Sequence, residues 1–387
     1  MKNHKIFFNV PLSPHKEIFK FNKAKSQNIF SGSGNGFFTK KCTDWLIKNI
    51  KCKEALLVHS CTAALEMCAI LLNIKPGDEI IMPSYTFVST ANAFVLRGGK
   101  PVFIDVDCKT LNIDPKNIDK SITKNTKAIV VVHYAGISCD MDIVMKIAKK
   151  HKLFVVEDAA QSIMGKFKKK QLGSIGDLAT LSFHETKNVH CGEGGALLIN
   201  NKKFIKRAKI IRDKGTNRDD FNNNLTKKYS WVDIGSSYCL SEINASFLFA
   251  QLKLVNYITR KRVKIWNTYH KYFKKLEIEK KIIRQFIPKY AKNIAHMYWI
   301  IVDKKYRDKL IGYLRMKNIN SLFHYIPLHN SPFSKKTFEN KINLKVTDSI
   351  SKSIIRMPLH LDLKQKDITS ITTFVKKFFK EGSKKYI

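Results

Sequence analysis

The run LFVVEDAA, residues 153–160, decides the fold: its opening apolar residues lead to a carboxylate, Asp158. A half-solvated strand would alternate apolar and polar residues, and a surface helix would space its apolar residues every three or four. This run does neither, and it reads as a short strand buried on both faces. Six further runs share its character: LLVHS (56–60), EIIMP (79–83), PVFIDV (101–106), AIVVVHYAG (128–136), LATLSFH (178–184) and GALLIN (195–200). Between them lie longer stretches with helical spacing, such as 62–73 and 140–151. Buried strands alternating with helices imply an α/β domain whose mostly parallel, seven-stranded sheet is covered on both sides. The last runs are joined by short links, which allows an antiparallel strand at that edge of the sheet.

From about residue 246 the pattern changes. A long helical stretch, SFLFAQLKLVNYITRKRVKIWNTYHKYFKKL, leads into shorter strand-like pieces, AHMYWIIV (295–302) and INSLFHYIP (319–327), and a last helix is expected over roughly 366–380. At 387 residues the chain exceeds one ordinary core. The expected division is a large domain over 1–250, N-terminal arm included, and a smaller α+β domain over 251–387. The segment DDFNNNLTKKYS (219–230) reads as an exposed loop.

The formal charge is +39, from 70 basic and 31 acidic residues, which raises the alternative of a non-enzymatic, basic regulatory or nucleic-acid-binding protein. Only ten of the seventy are arginine, however, and the lysines are spread through the chain rather than gathered in a binding motif. The excess is read as a surface bias toward lysine, one that favours an anionic small substrate. Eight cysteines form no CxxC pair and no tight His/Cys array, so neither a zinc site nor a disulfide framework is indicated and no metal is expected. A reducing cytoplasm fits. The N-terminus is too broken by charge and proline for a signal peptide, and no run reaches the length of a membrane span.

In an open α/β sheet, ligands bind outside the carboxyl ends of the strands, so the residues following each run are the candidates for chemistry. After LLVHS, Cys61 and Thr62 open a helix whose free amides and dipole favour a phosphate. After LFVVE comes Asp158 with Gln161 close behind, and a carboxylate ending a buried strand is costly unless paired. After LATLSF comes HETK, with Ser182 just before and Lys187 at its end. A phosphate cradle, a buried acid and a lysine at neighbouring strand ends are what pyridoxal 5′-phosphate requires: an anchor, a partner for the pyridine nitrogen, and an amine for the aldehyde.

The motifs HSCTAALEM, GDEIIMPSYTFVSTANA, PVFIDVD, VHYAG, VVEDAAQS, SFHETKN…GEGGALLIN and HYIPLH resemble those of the DegT/DnrJ/EryC1/StrS sugar aminotransferases, which have the aspartate aminotransferase (type I) fold. The resemblance covers nearly the whole chain. SGNGFFTKKCTDWL, SFHETKN, RDKGTNRDDF and WVDIGSSY look most like the branch of that family that makes dTDP-4-amino-4,6-dideoxygalactose.

The resemblance implies roles at matching positions. Lys187 would bind the cofactor covalently, Asp158 would pair with its ring nitrogen, Gln161 would lie near its 3′-oxygen, Phe87 would cover the ring, and Ser182 with Cys61 and Thr62 would hold the phosphate. Substrate contacts would come from Gly34 and Asn35 of the GSGNG stretch, from Lys214 and Asn217, and from Tyr325 and His329 of HYIPLH. Many relatives reach the phosphate with an asparagine from a partner subunit; here Cys239 stands in its place, with Ser236 and Ser237 as nearby substitutes. The implied reaction moves an amino group from L-glutamate to C4 of a dTDP-linked 4-keto-6-deoxyglucose for glycan synthesis, in a homodimer with shared sites. A UDP carrier, a gluco product or a 3-keto sugar are the alternatives within the family, together with a dehydratase, whose best-known examples carry histidine where this chain has Lys187. His190 and Cys191 stand where small polar residues are expected, and the thiol reads as inert packing.

Overall fold

The computed structural model describes residues 5–13, 35–338 and 342–381. All seven runs become strands of one sheet: β1 (Glu54–Val58), β2 (Glu79–Pro83), β3 (Lys100–Ile104), β4 (Thr126–Val132), β5 (Phe154–Asp158), β6 (Leu178–Ser182) and β7 (Gly195–Ile199). Their order across the sheet is β1-β7-β6-β5-β4-β2-β3. The pairs from β3 through β2, β4 and β5 to β6 are parallel, and β7 runs antiparallel to both β6 and β1.

The antiparallel strand is therefore interior, not at the edge as the short links suggested. The chain between Ser182 and Gly195 is too short to hold a crossover helix, so β7 folds back beside β6. The first strand then adds outside it. The sequence of β7 agrees, since all five residues of GALLI are buried.

Helices α1 (Phe37–Ile50), α2 (Cys61–Leu71), α3 (Ser89–Val95), α4 (Met141–His151) and α5 (Ile205–Arg212) pack on the sheet. In α4 Asp140 caps the first turn, accepting from Ile143 N, and Lys149, Lys150 and His151 meet the negative end of the dipole. Its buried stripe, Met141, Val144 and Ala148, is the face expected of a helix lying on a sheet. By contrast α2 is buried nearly all round, from Ala63 to Leu71.

The long helix α6 (Glu242–Tyr272) leaves the first core and enters a second. Leu248, Leu252, Val255 and Ile258 pack with the large sheet. Ile265, Trp266 and Tyr269 pack beneath a small antiparallel sheet of β8 (Ile283–Arg284), β9 (Tyr298–Ile301) and β10 (Ile354–Met357). Helices α7 (Lys304–Met316) and α8 (Gln365–Lys380) cover that sheet, and α8 buries Ile368, Ile371, Thr372, Val375 and Phe378 at helical spacing. We place the division between the two units within α6, the helix that contains residue 250. Ile6 belongs to the second core and exchanges backbone hydrogen bonds with Asn318 and Asn320, so this part of the N-terminal arm packs with the C-terminal unit.

Two local expectations change. INSLFHYIP is not a strand: it makes single bridges at Ile319 and Leu322 and then turns away, which carries His324 and Tyr325 toward the large sheet. The loop 219–230 begins with a short helix, Arg218–Asn222, before its exposed remainder.

Candidate active site

A cavity of about 720 Å³ opens at the carboxyl ends of β4, β5 and β6, between the two units. Its first wall is the start of α2. Ser60 caps that helix, accepting from Ala63 N at 3.0 Å, which leaves the Cys61 and Thr62 amides without intrahelical acceptors. The Thr62 hydroxyl lies 2.8 Å from that of Ser89. Opposite, Gly195 opens β7; a Cβ there would sit 2.4 Å from Ser60 C and 2.5 Å from Cys61 N. Only glycine lets the turn come so close, and the result is a pair of free amides at a positive helix end beside the Ser182 hydroxyl.

Asp158 ends β5 and is buried. One carboxylate oxygen accepts from Thr90 Oγ1 at 2.7 Å and the other from Ala160 N at 3.1 Å. Burial pushes its acidity toward the neutral form, and the Thr90 hydroxyl, the Ala160 amide and the Lys187 charge offset this only in part. Each oxygen has acceptor capacity left.

Lys187 reaches the same cavity from the loop after β6. Among the described residues its amine has no hydrogen bond or ion pair. Desolvation lowers its pKa from the ordinary lysine value; Cys61 and Asp158 oppose that, and the Arg356 charge adds to it. A half-buried, unpaired amine that loses its proton easily is a nucleophile and a base. Its neighbour Asn188 is fixed to the second unit, donating to Ile294 O at 3.2 Å with its oxygen 3.2 Å from His296 Nδ1.

Gln161 accepts from Ala135 N at 2.7 Å and donates to the Tyr325 hydroxyl at 3.1 Å. The Phe87 ring is exposed to the cavity, 6.4 Å from that of Tyr325. Thus Cys61, Thr62, Phe87, Asp158, Gln161, Ser182, Lys187 and Tyr325 line one space.

The other expected substrate residues do not line it. His329 is buried elsewhere, with Nδ1 2.7 Å from Ser84 Oγ and Nε2 3.3 Å from the Asp348 carboxylate, and so joins the units. Lys214 pairs with Asp213 at 3.0 Å. Asn217 closes its own loop, donating to Lys228 O and accepting from Ser230 N. Asn35 accepts from Arg212 at 2.7 Å, and Gly34 lies outside the described residues. Cys239 bridges Val58 away from the cavity, beside the exposed Ser236 and Ser237. Of the two unusual loop residues, His190 Nε2 donates to Leu12 O at 2.9 Å. Cys191 is buried against Gly194, its thiol pushed up to about 12 by burial.

Sequence reasoning missed several cavity residues: Thr90, His296, His324 and Arg356. Burial, then the Arg356 and Lys187 charges, hold the His324 imidazole well below its ordinary pKa, and its Nδ1 lies 3.1 Å from the Tyr134 hydroxyl. The available signal was an arginine in an apolar run, IIRMP (354–358), in a chain where only ten of the seventy basic residues are arginine.

Comparison with known proteins agrees with this geometry. The sequence profile of the DegT/DnrJ/EryC1/StrS aminotransferase family matches residues 21–376. The chain is 36% identical to the uncharacterized protein MJ1066 of Methanocaldococcus jannaschii over 85% of its length and 87% of the relative's. It is 31% identical to the spore coat polysaccharide biosynthesis protein SpsC of Bacillus subtilis over 98% of both chains. Among solved structures, Helicobacter pylori PseC, an aminotransferase of pseudoaminic acid biosynthesis, superposes with a TM-score of 0.88 at 25% identity, covering 98% of this chain and 100% of that one.

Proposed function

Because the chain belongs to the DegT/DnrJ/EryC1/StrS aminotransferase family and is a pyridoxal-phosphate-dependent sugar aminotransferase, we propose that it transfers the amino group of L-glutamate to C4 of dTDP-4-keto-6-deoxy-D-glucose. The products would be a dTDP-4-amino-4,6-dideoxyhexose for glycan assembly and 2-oxoglutarate. The observation that carries this reading is the amine of Lys187, unpaired among the described residues and with its pKa lowered by desolvation, in one cavity with Asp158 and the free start of α2.

The residues present fit the cofactor. Gly195 clears the approach to two free amides, Asp158 retains acceptor capacity, and the amine is uncommitted. We assign the Cys61 and Thr62 amides and the Ser182 hydroxyl to the phosphate, Phe87 to the ring face, Gln161 to the 3′-oxygen side and Asp158 to the ring nitrogen. Bound there, pyridoxal phosphate supplies an aldehyde carbon that can carry the amino group and a ring that withdraws electron density. Asp158 keeps a proton on the ring nitrogen, and a cation at that point offsets the cost of burying the carboxylate. Lys187 Nζ, its charge disfavoured by desolvation, takes the proton from the donor's Cα and delivers one at the aminated carbon of the sugar.

The 4-keto assignment is supported by SFHETKN and KGTNRDDF, and the glycan destination by the likeness to a polysaccharide biosynthesis protein. We further propose a homodimer, supported by the exposed apolar residues Leu225, Tyr229, Trp231 and Val232. In it, a second copy would bring Lys214, Asn217 and the Ser236–Ser237 segment toward a shared site. The eight free cysteines support a reducing cytoplasm. The test is to incubate the protein with pyridoxal phosphate, L-glutamate and dTDP- or UDP-linked 4-keto-6-deoxyglucose, with C4 assigned by NMR coupling constants. Failure to aminate either sugar would overturn the proposal.

A further inference from the structure

Lys187 is followed at once by a side chain that the second unit holds. Asn188 is buried, and its amide nitrogen donates to Ile294 O at 3.2 Å. A carbonyl oxygen only accepts, so this bond decides which end of the amide is which and turns Asn188 Oδ1 toward His296 Nδ1, 3.2 Å away. An amide oxygen only accepts in its turn, which puts the imidazole proton on Nδ1. Burial, then the charges of Lys187, Arg262 and Arg356, hold the His296 pKa well below its ordinary value, so the ring is neutral and Nε2 carries no proton. His296 lines the cavity, and its Nε2 has no hydrogen bond among the described residues.

The segment that carries His296 is built to stay still. Ala295 takes a left-handed backbone, φ 51°, which a residue with a Cβ adopts at a cost. Its amide donates to Asn293 Oδ1 at 2.8 Å. From α6, Arg262 donates to Ala295 O at 3.0 Å and to His296 O at 2.7 Å. A costly conformation held from three sides marks a place where the direction of a side chain matters.

We propose that Asn188 and His296 are a positioning pair for Lys187: the imidazole, with its proton on Nδ1, holds the Asn188 amide, and Asn188 fixes the chain from which the lysine reaches into the cavity. The inference rests on the role of Lys187 proposed above and not on which sugar is aminated. A lysine amine sits on a long flexible stem, and this one has no hydrogen bond among the described residues, so it is placed by where its backbone is held. One tether lies on its own side, where Lys187 N donates to His184 O at 2.9 Å. Asn188 supplies the other, across to the second unit. The rival role for His296 is a direct one, in which Nε2 accepts a proton or a hydrogen bond from a ligand.

The test sets His296→Asn against His296→Gln, with Asn188→Ala beside them. Asparagine keeps an N–H where Nδ1 stands and has nothing at Nε2; glutamine reaches the Nε2 position and leaves Asn188 without its donor. One readout is the rate at which the apoprotein takes up pyridoxal phosphate, followed by absorbance and trapped on Lys187 with borohydride. The other is kcat and KM of each half-reaction in the holoenzyme. His296→Gln and Asn188→Ala are expected to slow uptake at least about tenfold and to lower kcat of both half-reactions about 10- to 100-fold, with KM changed less than about threefold. His296→Asn should stay within about threefold of wild type in both readouts. Joining Asn188→Ala to His296→Gln should add little to either alone, as expected of two residues that act as a unit. Urea melts identify a misfolded variant, and if Asn188→Ala is one, the two His296 variants decide between them. Unchanged uptake and kcat in His296→Gln or in a folded Asn188→Ala would overturn the proposal. So would a loss in His296→Asn equal to or larger than that in His296→Gln, which would move the role to Nε2. A wild type that takes up no cofactor on Lys187 would remove this inference together with the lysine's role. One that takes it up yet aminates no 4-keto sugar would remove the sugar assignment and leave the uptake comparison to decide this one.

Discussion

Glu157 and Asp158 are adjacent on β5, both buried and both acidic, yet they face opposite sides of the sheet and meet opposite surroundings. Glu157 is fully committed. Its oxygens accept from the Gly173, Ile175 and Gly176 amides at 2.9, 2.7 and 2.7 Å and meet His133 Nε2 at 3.0 Å. Burial alone would raise its pKa, but the His133 contact and the glycine amides outweigh it and hold the carboxyl below its ordinary value. Asp158 is under-committed: burial wins and its pKa rises although the nearby Lys187 opposes it, and desolvation lowers the pKa of Lys187 in turn. One side of the strand has used its charge to hold the fold together, and the other has kept its charge available for a ligand.

The largest expected effect on this contrast comes from Lys187→Ala. It should reduce multiple turnover by at least about 10⁴-fold, measured by product formation, because both proton transfers and the amine are lost. Retained turnover would place the functional side of the comparison elsewhere. Next, Glu157→Ala should lower the urea midpoint, at unchanged slope, by a stability loss of about 3–5 kcal/mol, since it strands His133 and three amides. A depressed carboxyl stabilises the fold above its ordinary pKa and loses that contribution as pH falls through its folded value. The difference between wild type and this variant should therefore shrink in acid.

Asp158→Asn should do the reverse. It should slow both half-reactions by about 100-fold while apoprotein stability at neutral pH shifts by under about 1 kcal/mol, because the raised pKa marks a charge that burial already disfavours. An Asp158→Asn variant that unfolds like Glu157→Ala would erase the distinction. The smallest effect is expected from Lys187→Met in the apoprotein. A lysine whose folded pKa is lowered costs stability as pH falls through the window beneath its ordinary value. The methionine variant should thus gain on wild type across that window, and the gain should level off below it.

This contrast also marks how far the sequence could be read. Asp158 and Lys187 were legible because each ends or follows a buried apolar run, where a charge is costly unless paired. The seven strands were legible for the same reason, and their order was not, because β7 differs from its parallel neighbours only in the length of the link before it. Lys214, Asn217 and His329 carried the right residue types, but type does not say where a side chain ends; His329 ends between Ser84 and Asp348. Arg356 was overlooked because its only signal is local, one arginine among apolar residues, and its meaning depends on a cavity wall assembled from the N-terminal arm and two distant sheets.

The central claim is that one lysine among sixty is the reactive one. The most direct measurement is to load the protein with pyridoxal phosphate, reduce it with borohydride, digest it and locate the pyridoxyl mass. The structure predicts stoichiometric labelling in the peptide containing Lys187 and none at that site in Lys187→Ala. A stoichiometric label on any other lysine, or labelling spread thinly over the surface lysines, would contradict it.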